Sequence, residues 1–175
     1  MHKGWRSFLA IAALTIVMAS TAVQAEPTDT AVKAAFLPRF ARYVTWPASA
    51  MPKGSDPFVL CVIGADPFGG QLDDAARSQL IDGRRIVVRR LDSAAAAGGC
   101  QIAFVGGART ASILAALGGK PVLTVTDSDS NGQRGIIHFV VEGGRVRFFI
   151  DQVAASQRGL TISSRLLALA VGVSQ

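Results

Sequence analysis

This sequence predicts a single α/β domain: a mostly parallel sheet of about six strands, helices on both faces, and a C-terminal hairpin plus helix. Three observations carry that expectation. Phe58 to Ile63 is an almost unbroken apolar run, the mark of a strand covered on both sides. Strand-like and helix-like stretches then alternate as far as Val125, as parallel βαβ units require. Finally, Gly135 to Val141 and Arg145 to Ile150 flank Glu142-Gly143-Gly144, a hairpin signal that adds antiparallel strands at one edge.

The chain opens on a targeting signal. His2, Lys3 and Arg6 form a basic head, Phe8 to Val17 is apolar apart from Thr15, and Val23-Gln24-Ala25 supplies the small-x-small pattern of signal-peptide cleavage. The apolar stretch falls short of the roughly 20 residues that a membrane span needs. The expected units are therefore a cleaved leader over residues 1–25 and one exported domain over 26–175. Losing Lys3 and Arg6 takes the net charge from +6 to +4, an ordinary setting for solubility that argues for no nucleic acid partner.

Asp29 to Val44 carries Ala31, Ala34, Ala35, Phe40, Ala41 and Val44 at helical spacing, and Thr28 or Asp29 is placed to cap it. Pro38 should kink or divide this helix, because proline removes a donor and crowds the preceding turn. A proline-bearing loop, Ala48 to Pro57, leads into the Phe58 strand. Phe68 to Gln79 is a short helix with Leu72, Ala75 and Ala76 inward. Arg84 to Leu91 is an exposed basic strand, and Ala94 to Ala97 is weak helix or loop. Gln101 to Val105 and Pro121 to Val125 are strands on either side of a helix from Arg109 to Leu117. Asp127 to Gly135 is a polar loop. A helix or helix pair ends the chain, broken at Gly159 and capped by Thr161, Ser163 or Ser164.

No catalytic constellation emerges. Ser163 and Ser164 lack a nucleophile elbow and read as caps. His138 lies in an apolar strand with no orienting partner nearby in sequence, and reads as a strand residue. The D-x-D-x-N-G run of Asp127, Asp129, Asn131 and Gly132 resembles half of a calcium loop. Its twelfth position is His138, where a bidentate carboxylate is needed, so no metal site is expected. No cofactor is expected either. Arg84, Arg85, Arg89 and Arg90 bracket Ile86-Val87-Val88 and read as charge that blunts an edge strand, with phosphate or headgroup contact as the rival.

Two features remain. Cys61 and Cys100 are an even pair in an oxidising compartment; one structural bridge is the first reading and a reversible redox switch the second. Gly64, Asp66, Pro67 and Phe68 follow a buried strand and open a helix. That is where α/β folds bind ligands or partners, and Arg109, Thr126 and Asp127 are expected on the same rim. The stretch matches no nucleotide-binding fingerprint, and turn chemistry competes with it.

The chain resembles the YfiR-type periplasmic regulators over essentially the whole mature length. The matching segments are Lys33-Ala34-Ala35-Phe36-Leu37 leading to Trp46-Pro47, Leu60-Cys61-Val62-Ile63-Gly64 with Asp66-Pro67-Phe68, and Cys100 ahead of Ile102-Ala103-Phe104. They continue through Leu123-Thr124-Val125-Thr126-Asp127, Gly135-Ile136-Ile137-His138-Phe139 and Arg145-Val146-Arg147-Phe148, and close with Gly159 to Leu167. The resemblance implies a non-enzymatic protein that binds the periplasmic sensor region of an inner-membrane diguanylate cyclase and holds it inactive. Cyclic-di-GMP and biofilm formation would fall. It also puts Cys61 and Cys100 at the family's disulfide positions. A homodimer and a small ligand stay open as further partners. A small-ligand carrier using the strand-end loops is the alternative function.

Overall fold

The computed structural model describes residues 27–174; the leader expected over residues 1–25 lies outside them. Helix α1 spans Asp29–Phe40, capped by the Thr28 hydroxyl, which accepts from the Ala31 amide. It is not divided at Pro38 but runs on to Phe40, and a 3-10 turn takes over at Ala41–Tyr43. Leu37 and Phe40 are the reason. Both are fully buried, and Phe40 packs on Phe139 and Phe148 with ring centroids 5.7 and 5.4 Å apart. Burying two such side chains offsets the roughly 3 kcal/mol that an interior proline costs.

Strands β1 (Val44–Thr45), β2 (Phe58–Gly64), β3 (Leu80–Ile81), β4 (Arg84–Leu91), β5 (Ile102–Gly106) and β6 (Leu123–Thr126) follow, with α2 (Gly70–Arg77) and α3 (Thr110–Ala116) between them. The hairpin is β7 (Ile137–Glu142) and β8 (Arg145–Asp151). The end of the chain is α4 (Gln152–Gln157), β9 (Thr161–Ile162), α5 (Ser164–Leu167) and β10 (Gly172–Ser174).

Eight strands form one sheet in the order β10-β8-β7-β6-β5-β2-β4-β3. The run β4-β2-β5-β6-β7 is parallel throughout. The direction of winding reverses between β2 and β5, so the carboxyl ends of those two strands form the topological switch point. One face carries α1, α2 and the C-terminal elements over a core centred on Phe40, Phe58, Phe104 and Phe139. The other carries α3 over Cys61, Ile63, Ala103 and Val105.

The mixed α/β domain is as expected, but the sheet is larger than about six strands. The additions are short. β3 and β10 lengthen the two edges, and β1 pairs with β9 as a separate two-stranded ribbon, Val44 opposite Ile162. The expected terminal helix pair is therefore two short helices interleaved with two strands. Gly159 (φ 72°) ends α4: its amide donates to Ser156 and the Leu160 amide to Ala155, which turns the chain out of the helix. Ser163 caps α5 by accepting from the Leu166 amide, whereas Thr161 lies in β9.

Candidate functional site

The carboxyl edge of the parallel strands gathers the residues expected to meet a ligand or partner. At the switch point, Gly64 has φ 90°, and a Cβ there would lie 2.4 Å from the Gly106 carbonyl oxygen. The Ala65 amide donates to that same oxygen at 3.1 Å. The β2 and β5 loops thus close on each other, main chain against main chain. Gly64→Ala should cost about 2 kcal/mol in chemical denaturation, combining left-handed strain with overpacking; a cost near zero would mean that the two loops are free to part.

Asp66 shapes the next turn. Its Oδ1 accepts from the Phe68 amide at 2.8 Å and the Gly69 amide at 3.3 Å, and its Oδ2 takes the Arg90 Nε at 2.7 Å. Arg90 also donates to Asp73 at 2.7 Å and to the Gly69 carbonyl at 2.7 Å, clipping β4 to the start of α2. Hydrogen bonding to Arg90 holds the Asp73 carboxyl below the usual carboxylate range, and the two carboxylates raise the Arg90 pKa in return. Phe68 turns inward and packs edge-on against Phe104 at 4.7 Å. Gly64, Asp66, Pro67 and Arg109 stay exposed, with Arg109 donating to the Asp92 carbonyl at 3.0 Å.

Farther along the same edge, Thr126 and Asp127 are buried at the end of β6. Asp127 Oδ2 accepts from Lys33 Nζ of α1 at 2.9 Å, and the two side chains are only 3% and 11% exposed. Asp127 Oδ1 takes the Asp129 amide at 3.2 Å. The polar loop is therefore closed from within by its first residue. Lys33 was missed as a site residue, although it shares one helical face with Leu37 and Phe40 at spacings of four and seven. A lysine on an apolar face signals a buried partner.

Cys61 and Cys100 form the disulfide, with Cα atoms 5.9 Å apart and both side chains buried. The next residue, Gln101, fastens this region to the Trp-Pro segment. Its Oε1 accepts from the Val59 amide at 2.7 Å, its Nε2 donates to the Ala50 carbonyl at 2.9 Å, and its own carbonyl accepts from Trp46 Nε1 at 3.1 Å. A groove of about 580 Å³ opens beside it, lined in part by Met51, Lys53, Cys100, Lys120 and Val122. This groove lies at the amino ends of β2, β5 and β6, opposite the rim. Among the described residues, no group of three or more His, Cys, Asp or Glu is placed to hold a metal, and no helix is long and apolar enough to cross a membrane.

The basic strand β4 is held by its own chain. Arg84 donates to the Gly54 carbonyl, and Arg89 to the carbonyls of Gly98 and Ala96 at 3.1 and 3.3 Å. With Arg90 in its carboxylate clip, three of the strand's four arginines are engaged, and Arg85 stays exposed.

The family described as YfiR/HmsC-like matches residues 30–171, nearly all of the described chain. The chain belongs to the YfiR/HmsC-like family. This is a family of periplasmic, non-catalytic regulators of diguanylate cyclase signalling. A search of curated proteins finds no match.

In this YfiR/HmsC-like chain, His138 pairs with Thr126 across β6 and β7, its Nδ1 lying 2.8 Å from the threonine Oγ1. That oxygen also accepts from the Gly135 amide at 2.9 Å, which leaves it able to donate to Nδ1 or accept from it according to the ring's tautomer. Burial first, then the Arg134 charge, holds the His138 pKa below the ordinary 6.5, with Asp127 pulling the other way. A depressed folded pKa means that stability is whole above 6.5 and is lost as the pH falls through the folded value. Thermal unfolding from about pH 7.5 to about 5 should show this decline in the native chain, and His138→Asn should flatten it. An unchanged slope in the variant would assign the decline to other groups.

Proposed function

We propose that this chain holds an inner-membrane diguanylate cyclase inactive by binding its periplasmic sensor region, so lowering cytoplasmic cyclic-di-GMP and biofilm formation. One observation carries the reading: membership of a regulatory family across residues 30–171, the whole of one folded domain. The mechanism is a population shift. The regulator binds the inactive conformation of the cyclase more tightly than the active one, and a preference of about 3 kcal/mol would change the ratio of the two roughly 150-fold. No bond is made or broken in this role.

The rim takes part through its exposed members, Gly64, Asp66, Pro67 and Arg109, while Phe68, Thr126 and Asp127 hold its shape from inside. The Cys61–Cys100 bridge makes repression depend on an oxidised, folded regulator. The carrier alternative is supported by the amino-edge groove beside Cys100, at the opposite end of the sheet from the loops that first suggested it.

Crosslinking the tagged protein in native membranes, followed by mass spectrometry of the adducts, tests the proposal. A membrane protein with a diguanylate cyclase domain is the expected adduct. Cells in which deleting the regulator leaves cyclic-di-GMP unchanged, with no such adduct, would overturn it.

A further inference from the structure

The register of the hairpin sorts its side chains into two rows. Ile137 and Phe139 on β7 and Phe148 and Ile150 on β8 are buried in the core. Their alternates, His138, Val140, Glu142, Arg145, Arg147 and Phe149, occupy the opposite face, with His138 itself buried. Near β5 that face is covered by α3, but along β8 it opens to solvent. Arg145 and Arg147 are exposed there, while Val140 and Phe149 are half-buried. Arg134, exposed in the preceding loop, places its guanidinium 5.0 Å from the centre of the Phe149 ring. The other side of that ring lies over Gly172 of β10, where a Cβ would come within 2.8 Å of it. Three arginines thus surround a short apolar strip on a flat strand surface.

One acidic side chain, Glu142, stands within the row and offsets part of its charge, leaving the row net positive. Glu142 faces Arg145 across the hairpin, and the Asp151 carboxylate is engaged as the cap of α4 at 2.8 Å from the Ala154 amide. Unlike Arg84, Arg89 and Arg90, Arg145 and Arg147 make no side-chain hydrogen bond or ion pair among the described residues, while Arg134 rests over Phe149 with its N–H groups unbonded.

We infer that this open row is the surface on which the regulator receives an acidic, extended segment of its protein partner; the inference rests on the repressor reading above. Charge decides the occupant. A second copy docked through the same face would set arginines against arginines. An anionic bilayer would meet the arginines but gain little from Val140 and Phe149, which are half-buried in the sheet. An extended chain bearing carboxylates reaches both: its acids pair with Arg134, Arg145 and Arg147, and its apolar side chains cover the strip.

The test places a photo-crosslinking residue at Val140 or Arg147, and separately at Asp74 of α2 or Arg85 of β4, in full-length protein expressed with its native membranes. Adducts to the cyclase from Val140 and Arg147 are expected. Adducts from Asp74 or Arg85 alone would overturn the surface and leave the repressor reading standing; no cyclase adduct from any position would overturn both. A charge-reversal pair, Arg145→Glu with Arg147→Glu, should lower cyclase binding at least about tenfold and raise cyclic-di-GMP while its melting temperature stays near native. Arg39→Glu with Arg85→Glu makes the same change in net charge elsewhere and should do neither. Equal effects from the two pairs would overturn the inference. So would sedimentation with phosphatidylglycerol vesicles that only the Arg145 and Arg147 pair abolishes, which would assign the row to the membrane.

Discussion

Replacing both Cys61 and Cys100 with alanine should lower the unfolding free energy by about 4 kcal/mol, the chain-entropy value for a loop of this length. The bridge spans 39 residues, and it ties β2, an interior strand, to the segment that leads into its neighbour β5. Alanine is preferable to serine because both positions are buried, where an unpaired hydroxyl would add its own cost. Domains of this size have some 5–15 kcal/mol in total, so the loss should leave a marginal protein. Denaturation in the presence and absence of reductant measures it: reductant should bring the native chain close to the variant and leave the variant unmoved. On the repressor reading, cells carrying the variant should also show raised cyclic-di-GMP. A loss below about 1 kcal/mol would remove stabilisation as the role of the bridge.

The second large effect is expected at Lys33 and Asp127. Asp127→Asn leaves a lysine ammonium buried without its counter-charge, and Lys33→Met leaves the carboxylate with only the Asp129 amide. Either should cost about 3–5 kcal/mol, the usual penalty for breaking a buried pair from one side. The double variant, Lys33→Met with Asp127→Asn, should recover much of that loss, because no buried charge remains. A double-mutant cycle in urea reads the coupling directly. Additive losses would show that the two side chains act independently despite their 2.9 Å contact.

What was legible in the sequence was whatever repeats locally. The apolar run of β2, the alternation of the hairpin and the amphipathic α2 all announce themselves within a few residues. The short strands do not. β1 and β9 are two residues each and exist only because Val44 meets Ile162, a pairing that no window along the chain contains. β10 forms because β8 offers it an edge. Pro38 misled for a related reason: the local rule counts a lost hydrogen bond, whereas the helix is held by Phe40 against Phe139 and Phe148, far along the chain.

The rim divides in the same way. That Gly64, Asp66, Arg109, Thr126 and Asp127 share one edge follows from strand direction. That Phe68 faces the core, Asp66 is engaged by Arg90, and Asp127 is paired with Lys33 depends on side chains brought together by the fold. Family resemblance pointed to the pair Cys61 and Cys100, and the sheet places both within bonding reach.

The ribbon of β1 and β9 has a consequence for how the molecule is made. Its first strand follows α1 and its second lies more than a hundred residues later, so the ribbon cannot close until Thr161 and Ile162 are present. Contacts of such long sequence separation form late and slowly, because the loop-closure cost is met before they return anything. The parallel strands β2, β4 and β5 can assemble early, while the Tyr43 carbonyl waits for the Ser163 amide to arrive. The same design makes Thr161, Ile162 and Ser163 a lock on the segment from Tyr43 to Thr45 that leads out of the first helix.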